Sequence, residues 1–290
     1  MTLTAKGAGT DELVIAARPQ RSWGLPVALD LSLQGAGAGL IAVAALFDLG
    51  SLLLGGLLAI MLSVALLMGH LGRPERFWRA ASRPRTSWIS RGVLLVGALV
   101  AVSVFALLAP IAGSVAAVAV RTTLLVLAAL VMVYTGAVTS ASAIPAWNSG
   151  LVPLLAFAYS LATGTGAALA VVAATSTGGE KLMLLQEAQL LLLAACFLVV
   201  LGYLWSLAFS SSRTARQSGR LLVRGRLALP FLGGALLLGV VVPFGLTAYA
   251  VALTGGGIAL ALALSGAARL AGDFALRFSL LRAGLYEPLL

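Results

Sequence analysis

Eight long apolar runs constrain this chain more than any other feature: about Val27–Phe47, Leu52–Met68, Val93–Ala112, Thr122–Ala141, Leu151–Ala174, Leu182–Phe209, Leu227–Leu253 and Ile258–Leu281. A helix needs roughly 20 apolar residues, at about 1.5 Å of rise each, to cross the hydrocarbon core of a bilayer. The runs are continuous rather than alternating, which selects helices over the strands of a membrane barrel. The expected fold class is all-α and integral to a membrane, with eight transmembrane helices within residues 27–290. Residues 1–26 are expected to form an exposed N-terminal arm. It carries Lys6, Asp11, Glu12, Arg18 and Arg21 and lacks the apolar core of a signal peptide.

Composition removes several function classes. The chain is 61% hydrophobic and 10% charged, against roughly 25% charged in soluble domains. Its one cysteine, Cys196, lies in an apolar run. It cannot make an internal disulfide, and it cannot supply the roughly four thiolates of an iron–sulfur cluster. A single histidine, His70, excludes a bis-histidine haem. No metal site is expected, so any metal redox centre belongs to a partner. Nucleic acid is not an expected partner, because the basic residues follow the ends of apolar runs and are not interleaved in a soluble fold.

The net charge of +10 is distributed unevenly. Eight spans put both termini on one side. That side collects fifteen basic residues, in the arm, in the second-to-third loop, in the sixth-to-seventh loop and at Arg282, while the other side has Arg121 and Lys181. The positive-inside rule then puts both termini and the His70 loop in the cytoplasm. For a bacterial chain, that means the inner membrane.

The stretch from His70 to Arg91, HLGRPERFWRAASRPRTSWISR, is the chemically richest. An imidazole titrates near pH 6.5 and can both give and take a proton. At a membrane boundary it can hydrogen-bond a quinone carbonyl and relay the proton. Pro74 stops the second helix. Arginines and aromatics then interleave, among them Arg73, Arg76, Trp78, Arg85, Trp88 and Arg91. Both types anchor helices at headgroup depth and both are enriched where proteins dock. Tyr134 falls in the last two turns of the fourth span, on the His70 side, with a hydroxyl that can donate to a quinone oxygen. Trp147 and Asn148 follow in an uncharged loop on the same side, a further candidate docking surface.

Ionisable groups inside a membrane are expensive, and so they are functional candidates. Asp30 lies near the start of the first span. Arg269, Asp273 and Arg277 are four apart in the last span and share one helix face. Glu187 lies about a turn into the sixth span from the opposite side. Together Glu187, Arg269, Asp273 and Arg277 are candidates for a proton path. Glycines cluster in several spans (Gly35, Gly37 and Gly39 in the first), where close backbone approach packs membrane helices.

Three stretches in order carry a family resemblance: HLGRPERFWRA with RTSWISR, then YTG with IPAWNSGLVPLLAFAYSLATG, and GDFALRFSLLRAG near the end. Together they resemble the NrfD family, the membrane subunits of polysulfide reductase, nitrite reductase and dimethyl sulfoxide reductase type complexes. The resemblance implies a pair of four-helix bundles without cofactors of their own. It implies a quinone (menaquinone or ubiquinone) bound near one surface, beside a ferredoxin-like subunit with several [4Fe–4S] clusters. Those clusters lead to a catalytic subunit that holds molybdenum or tungsten on a pterin. Carried over by motif, the quinone-site residues are His70 and Tyr134, with Asp30 as a weaker transfer. Many relatives have a glutamate where this chain has Gly92, and the acid–base role of that position is not carried over. Many of the family's catalytic partners are exported, which would put the docking face outside, whereas the charge bias points it inward.

Two other readings fit the residues. A transporter or proton channel without redox partners would use the buried charges and a span interrupted at Pro243 and Gly245. A purely structural anchor would hold no quinone.

Overall fold

The computed structural model describes residues 17–69, 73–109, 115–175, 179–252 and 257–287. His70, at the head of the motif-rich loop, lies outside the described residues, as do the first sixteen positions of the arm.

Eight membrane-length helical segments are present among the described residues. In order they are α1 (Leu25–Leu46), α2 (Gly50–Gly69), α3 (Trp88–Leu108), α4 (Val115–Ser140), α5 (Leu151–Ala174), α6 (Gly179–Ala208), a seventh span, and α9 (Gly257–Arg282). The short helix α7 (Arg213–Val223) separates α6 from the seventh span. That span has two parts, a π-helical stretch over Leu229–Val241 that continues into α8 (Val242–Ala252). Pro74–Ala81 forms a short 3₁₀ helix between α2 and α3, as a proline that cannot continue α2 but suits a first turn allows. This confirms the all-α integral membrane class. The third span starts five residues earlier than its apolar run, because Ser87 caps it by accepting the Ser90 amide at 3.3 Å. Trp88 and Arg91 are therefore helical.

Helices α1 to α4 pack around one another, and α5, α6, the seventh span and α9 form a second group of four. Contacts of α1 with α5 and α9, and of α4 with α5, join the two bundles. Small residues permit this seam. A Cβ on Gly39 would run into the backbone carbonyl of Ser160, and one on Gly164 into the backbone of Gly39. A single methyl at either position therefore forces the central helices apart. Helices α1 and α5 are the most buried spans and the others show more of their surface outward, as expected of a seam surrounded by lipid-facing helices.

Apolar packing falls into two clusters. One gathers residues such as Leu155, Val200, Phe231 and Leu276 toward the ends that carry the termini. The second gathers Val43, Leu53, Val172 and Leu262 toward the other end. Buried polar groups of α1, α5 and α9 lie between them.

The described part of the arm is tied down. Arg18 and Pro19 (β1) pair antiparallel with Leu285 and Tyr286 (β2). Gln20 is buried, donating through Nε2 to the carbonyls of Leu281 at 2.8 Å and Trp23 at 2.7 Å. Arg18, Pro19 and Arg21 remain exposed.

Candidate functional site

The predicted face of α9 is buried and engaged. Arg277 Nε donates to Asp273 Oδ2 at 3.1 Å, and its Nη2 donates to Ser160 Oγ of α5 at 2.7 Å. Ser32 of α1 donates to the same Asp273 oxygen at 2.6 Å. One carboxylate thus ties α9 to α1, and one guanidinium ties it to α5. Asp30, also buried, accepts a hydrogen bond from Ser63 of α2 at 2.5 Å. It lies within electrostatic reach of Arg277 and of Tyr134. Residues 30, 134 and 277, far apart in the chain, therefore converge near the end of the bundle to which α2 delivers the His70 loop.

Tyr134 owes its place to a glycine. A Cβ on Gly92 of α3 would overlap the phenol ring of Tyr134. Two residues on, Gly136 lets α5 approach α4, since a Cβ there would come within 2.5 Å of Pro153 Cα. The YTG triplet thus seats the ring against α3 and the backbone against α5.

Deeper in the membrane, Arg269 is fully buried. Its guanidinium lies 4.3 Å from the ring centre of Tyr159, a cation–π contact. Nη2 donates to the Tyr159 carbonyl at 3.1 Å and Nη1 to the Gly239 carbonyl. In an α-helix the amide four residues on would serve Gly239. That residue is Pro243, which has no N–H. The irregular seventh span thus offers a carbonyl to a buried cation. The formal charges of Asp30, Asp273, Arg269 and Arg277 sum to zero, which limits the cost of holding them in a membrane.

Several polar atoms of this layer have no partner among the described residues: Asp273 Oδ1, Arg269 Nε, Gln34 Oε1 and both amide atoms of Gln189. Buried polar groups are normally satisfied by protein or by ordered water, so this layer can take up water.

Two expectations need correcting. Glu187 does not join the α9 cluster. Its side chain is exposed on α6, and at that depth α6 turns Gln186 and Gln189 inward. The rotation of the helix, not the depth of the residue, decides. Trp147 is not a surface docking residue either. It is buried, it donates through Nε1 to the Leu280 carbonyl at 2.8 Å, and its ring centre lies 5.5 Å from that of Trp23. A Cβ on Gly284 would come within 2.7 Å of the indole, so two of the sequence motifs are packed on each other here.

The remaining docking candidates Arg73, Arg76, Trp78, Arg85, Trp88 and Asn148 are exposed. Arg91 is partly exposed and braces the loop instead. Its Nε donates to the Pro84 carbonyl at 2.9 Å, its Nη2 to the Arg85 carbonyl at 3.0 Å, and its guanidinium sits 4.6 Å from the Trp88 ring centre. Sequence reasoning missed Ser32, Ser63, Tyr159, Ser160 and Gln189. Tyr159 and Ser160 lie inside the FAYSLATG stretch, and a polar pair in an apolar span was the available signal.

Among the described residues, no group of three or more His, Cys, Asp or Glu side chains could hold a metal ion. Near the end of the bundle to which α2 delivers the His70 loop, Tyr134 offers a phenol hydroxyl that can donate and Asp30 a carboxylate that can accept a hydrogen bond, with Ser63 and Arg277 beside the carboxylate.

Comparison with known proteins agrees with the motifs. The family model described as polysulphide reductase, NrfD matches residues 13–288. A segment of 45 residues is 53% identical to a sulfite dehydrogenase subunit of Allochromatium vinosum. That match covers 14% of this chain and 14% of the relative.

Proposed function

This chain belongs to the polysulphide reductase NrfD family, and on that premise we propose that it is the membrane anchor and quinone-binding subunit of a multi-subunit oxidoreductase. The observation that carries the proposal is the convergence of Asp30, Tyr134 and Arg277 at the end of the bundle to which α2 delivers the His70 loop. A quinone bound there supplies a carrier of two electrons and two protons. Tyr134 orients it by donating a hydrogen bond. Asp30, held by Ser63, gives or takes a proton at its carboxylate, and His70 exchanges that proton with water at the boundary. The quinone is menaquinone or ubiquinone.

The electron partner is a ferredoxin-like subunit with [4Fe–4S] clusters, wired to a molybdenum or tungsten catalytic subunit. The exposed arginines and tryptophans between Arg73 and Trp88 are where it docks. The name of the Allochromatium relative, a dehydrogenase subunit, supports a multi-subunit redox setting. The basic face, both termini and the His70 loop are cytoplasmic, by the charge bias.

The test is turnover of the purified complex with a quinone analogue. His70→Ala and Tyr134→Phe should assemble normally. The first should lose about a hundredfold or more of quinone-linked rate, the usual scale for a positioned acid–base group. An assembled His70→Ala complex with the normal rate would remove His70 from the mechanism.

A second reading, proton movement across the bilayer, is favoured by the unpartnered polar atoms around Asp273, Arg269 and Gln189. The α9 face from Ser265 to Arg277 covers roughly 18 Å at about 1.5 Å per residue. In this reading the inner end of the path is Arg277, Asp273 and Arg269, and Gln189 takes the place expected of Glu187. Liposomes holding the chain without redox partners would acidify under an imposed potential if the path conducts by itself. Tight liposomes would restrict any proton movement to turnover.

A further inference from the structure

We propose that the corner between α6 and α7 is a binding site for the phosphate headgroup of an anionic phospholipid. A cleft of about 380 Å³ is lined there by Leu204 and Ala208 of α6 and by Arg216, Gly219, Arg220, Val223 and Arg224. The three arginines are spaced four apart, so they lie along one side of α7 and its end. The opposite side of α7, with Ala215, Ser218 and Leu222, is buried. A Cβ on Gly219 would sit 3.2 Å from Leu207 Cβ, so α7 lies directly against the last turns of α6.

Position selects a lipid. Leu204 and Ala208 belong to the final turns of a membrane span, so the apolar wall of the cleft lies at the end of that span. Trp205 and Phe209, exposed and with ring centres 4.6 Å apart, mark the headgroup level on the same turns. Charge selects an anion. Among the described residues, no carboxylate forms an ion pair with Arg216, Arg220 or Arg224. Arg216 is fixed by donating through Nη1 to the carbonyls of Ser210 and Ser211. Arg220 and Arg224 are exposed at the mouth. A guanidinium offers a planar fork of N–H donors that matches phosphate oxygens, and basic pockets beside membrane helices are suited to anionic headgroups.

The test uses the purified full chain in neutral detergent, titrated with dioleoyl phosphatidylglycerol and read by native mass spectrometry. The expected result is a one-to-one adduct that survives collision energies at which dioleoyl phosphatidylcholine is stripped. R220Q/R224Q should bind roughly thirtyfold more weakly, the scale of two basic side chains near an anionic lipid. Glutamine keeps a good helix former at position 220. R213Q/R226Q, which removes the same charge from the same segment outside the cleft, should retain the adduct. An undiminished adduct in R220Q/R224Q, equal loss in R213Q/R226Q, or equal retention of phosphatidylcholine would overturn the proposal. Displacement of the adduct by millimolar inorganic phosphate would identify a free-phosphate site and overturn the lipid assignment.

Discussion

Arg269 donates to the carbonyl of Gly239, four residues before Pro243. A buried cation on α9 is thus matched to a carbonyl that a proline cannot serve. Both parts of the seventh span, the π-helical stretch and α8, pack on α9.

This pairing can be tested by a double-variant cycle. Arg269→Met removes the side-chain donor of the Gly239 carbonyl and should cost about 1–3 kcal/mol, the usual penalty of an unsatisfied buried group. Adding Pro243→Ala restores an amide that can serve that carbonyl. Thermal unfolding in detergent should show the double variant more stable than Arg269→Met alone. A double variant that is no better would separate the two residues energetically.

Asp273 carries two bonds, from Ser32 and from Arg277. Arg277→Met leaves its buried carboxylate short of a cation and should destabilise by about 3–5 kcal/mol. Arg277→Met with Asp273→Leu removes both charges and should recover much of that loss. Unfolding midpoints of the two variants decide it, and equal midpoints would mean that the pair is not coupled.

Gly92 and Tyr134 occupy one space. Gly92→Ala should push the phenol out of place at a cost of about 1–3 kcal/mol, as overpacking does. It should also lower quinone-linked turnover in an assembled complex. In a Tyr134→Ala background the same change should cost almost nothing. A full cost in that background would locate the clash elsewhere.

Trp147→Phe keeps most of the ring but leaves the Leu280 carbonyl without its 2.8 Å donor. The expected cost is about 1–3 kcal/mol, seen as a lower unfolding midpoint. Binding of a redox partner should be unchanged, because the side chain is buried. Weakened partner binding at normal stability would return Trp147 to the docking surface.

Much of this architecture is legible in the chain. Hydrocarbon tolerates little but apolar side chains on a helix with all its backbone bonds made internally, so eight apolar runs name eight spans. Charges four apart on Arg269, Asp273 and Arg277 reveal a shared face, because the helical repeat is known in advance. The depth of Tyr134 follows from counting turns. Contacts between helices do not follow from such counting. Glu187 and Gln189 differ by two positions, yet one faces outward and the other inward, since about 200° of rotation separates them. Trp147 sits in an uncharged loop that reads as a docking surface, and it is the backbone of α9, 133 residues away, that buries it. Ser63, Ser160 and Gly92 are unremarkable letters until Asp30, Arg277 and Tyr134 are brought against them. What the sequence by itself determined is the solvent of each segment and which side chains share one helix face. What only the tertiary structure decided is which faces meet, because that depends on close packing at Gly39 and Gly164, and on carbonyls such as Gly239 that no local pattern records.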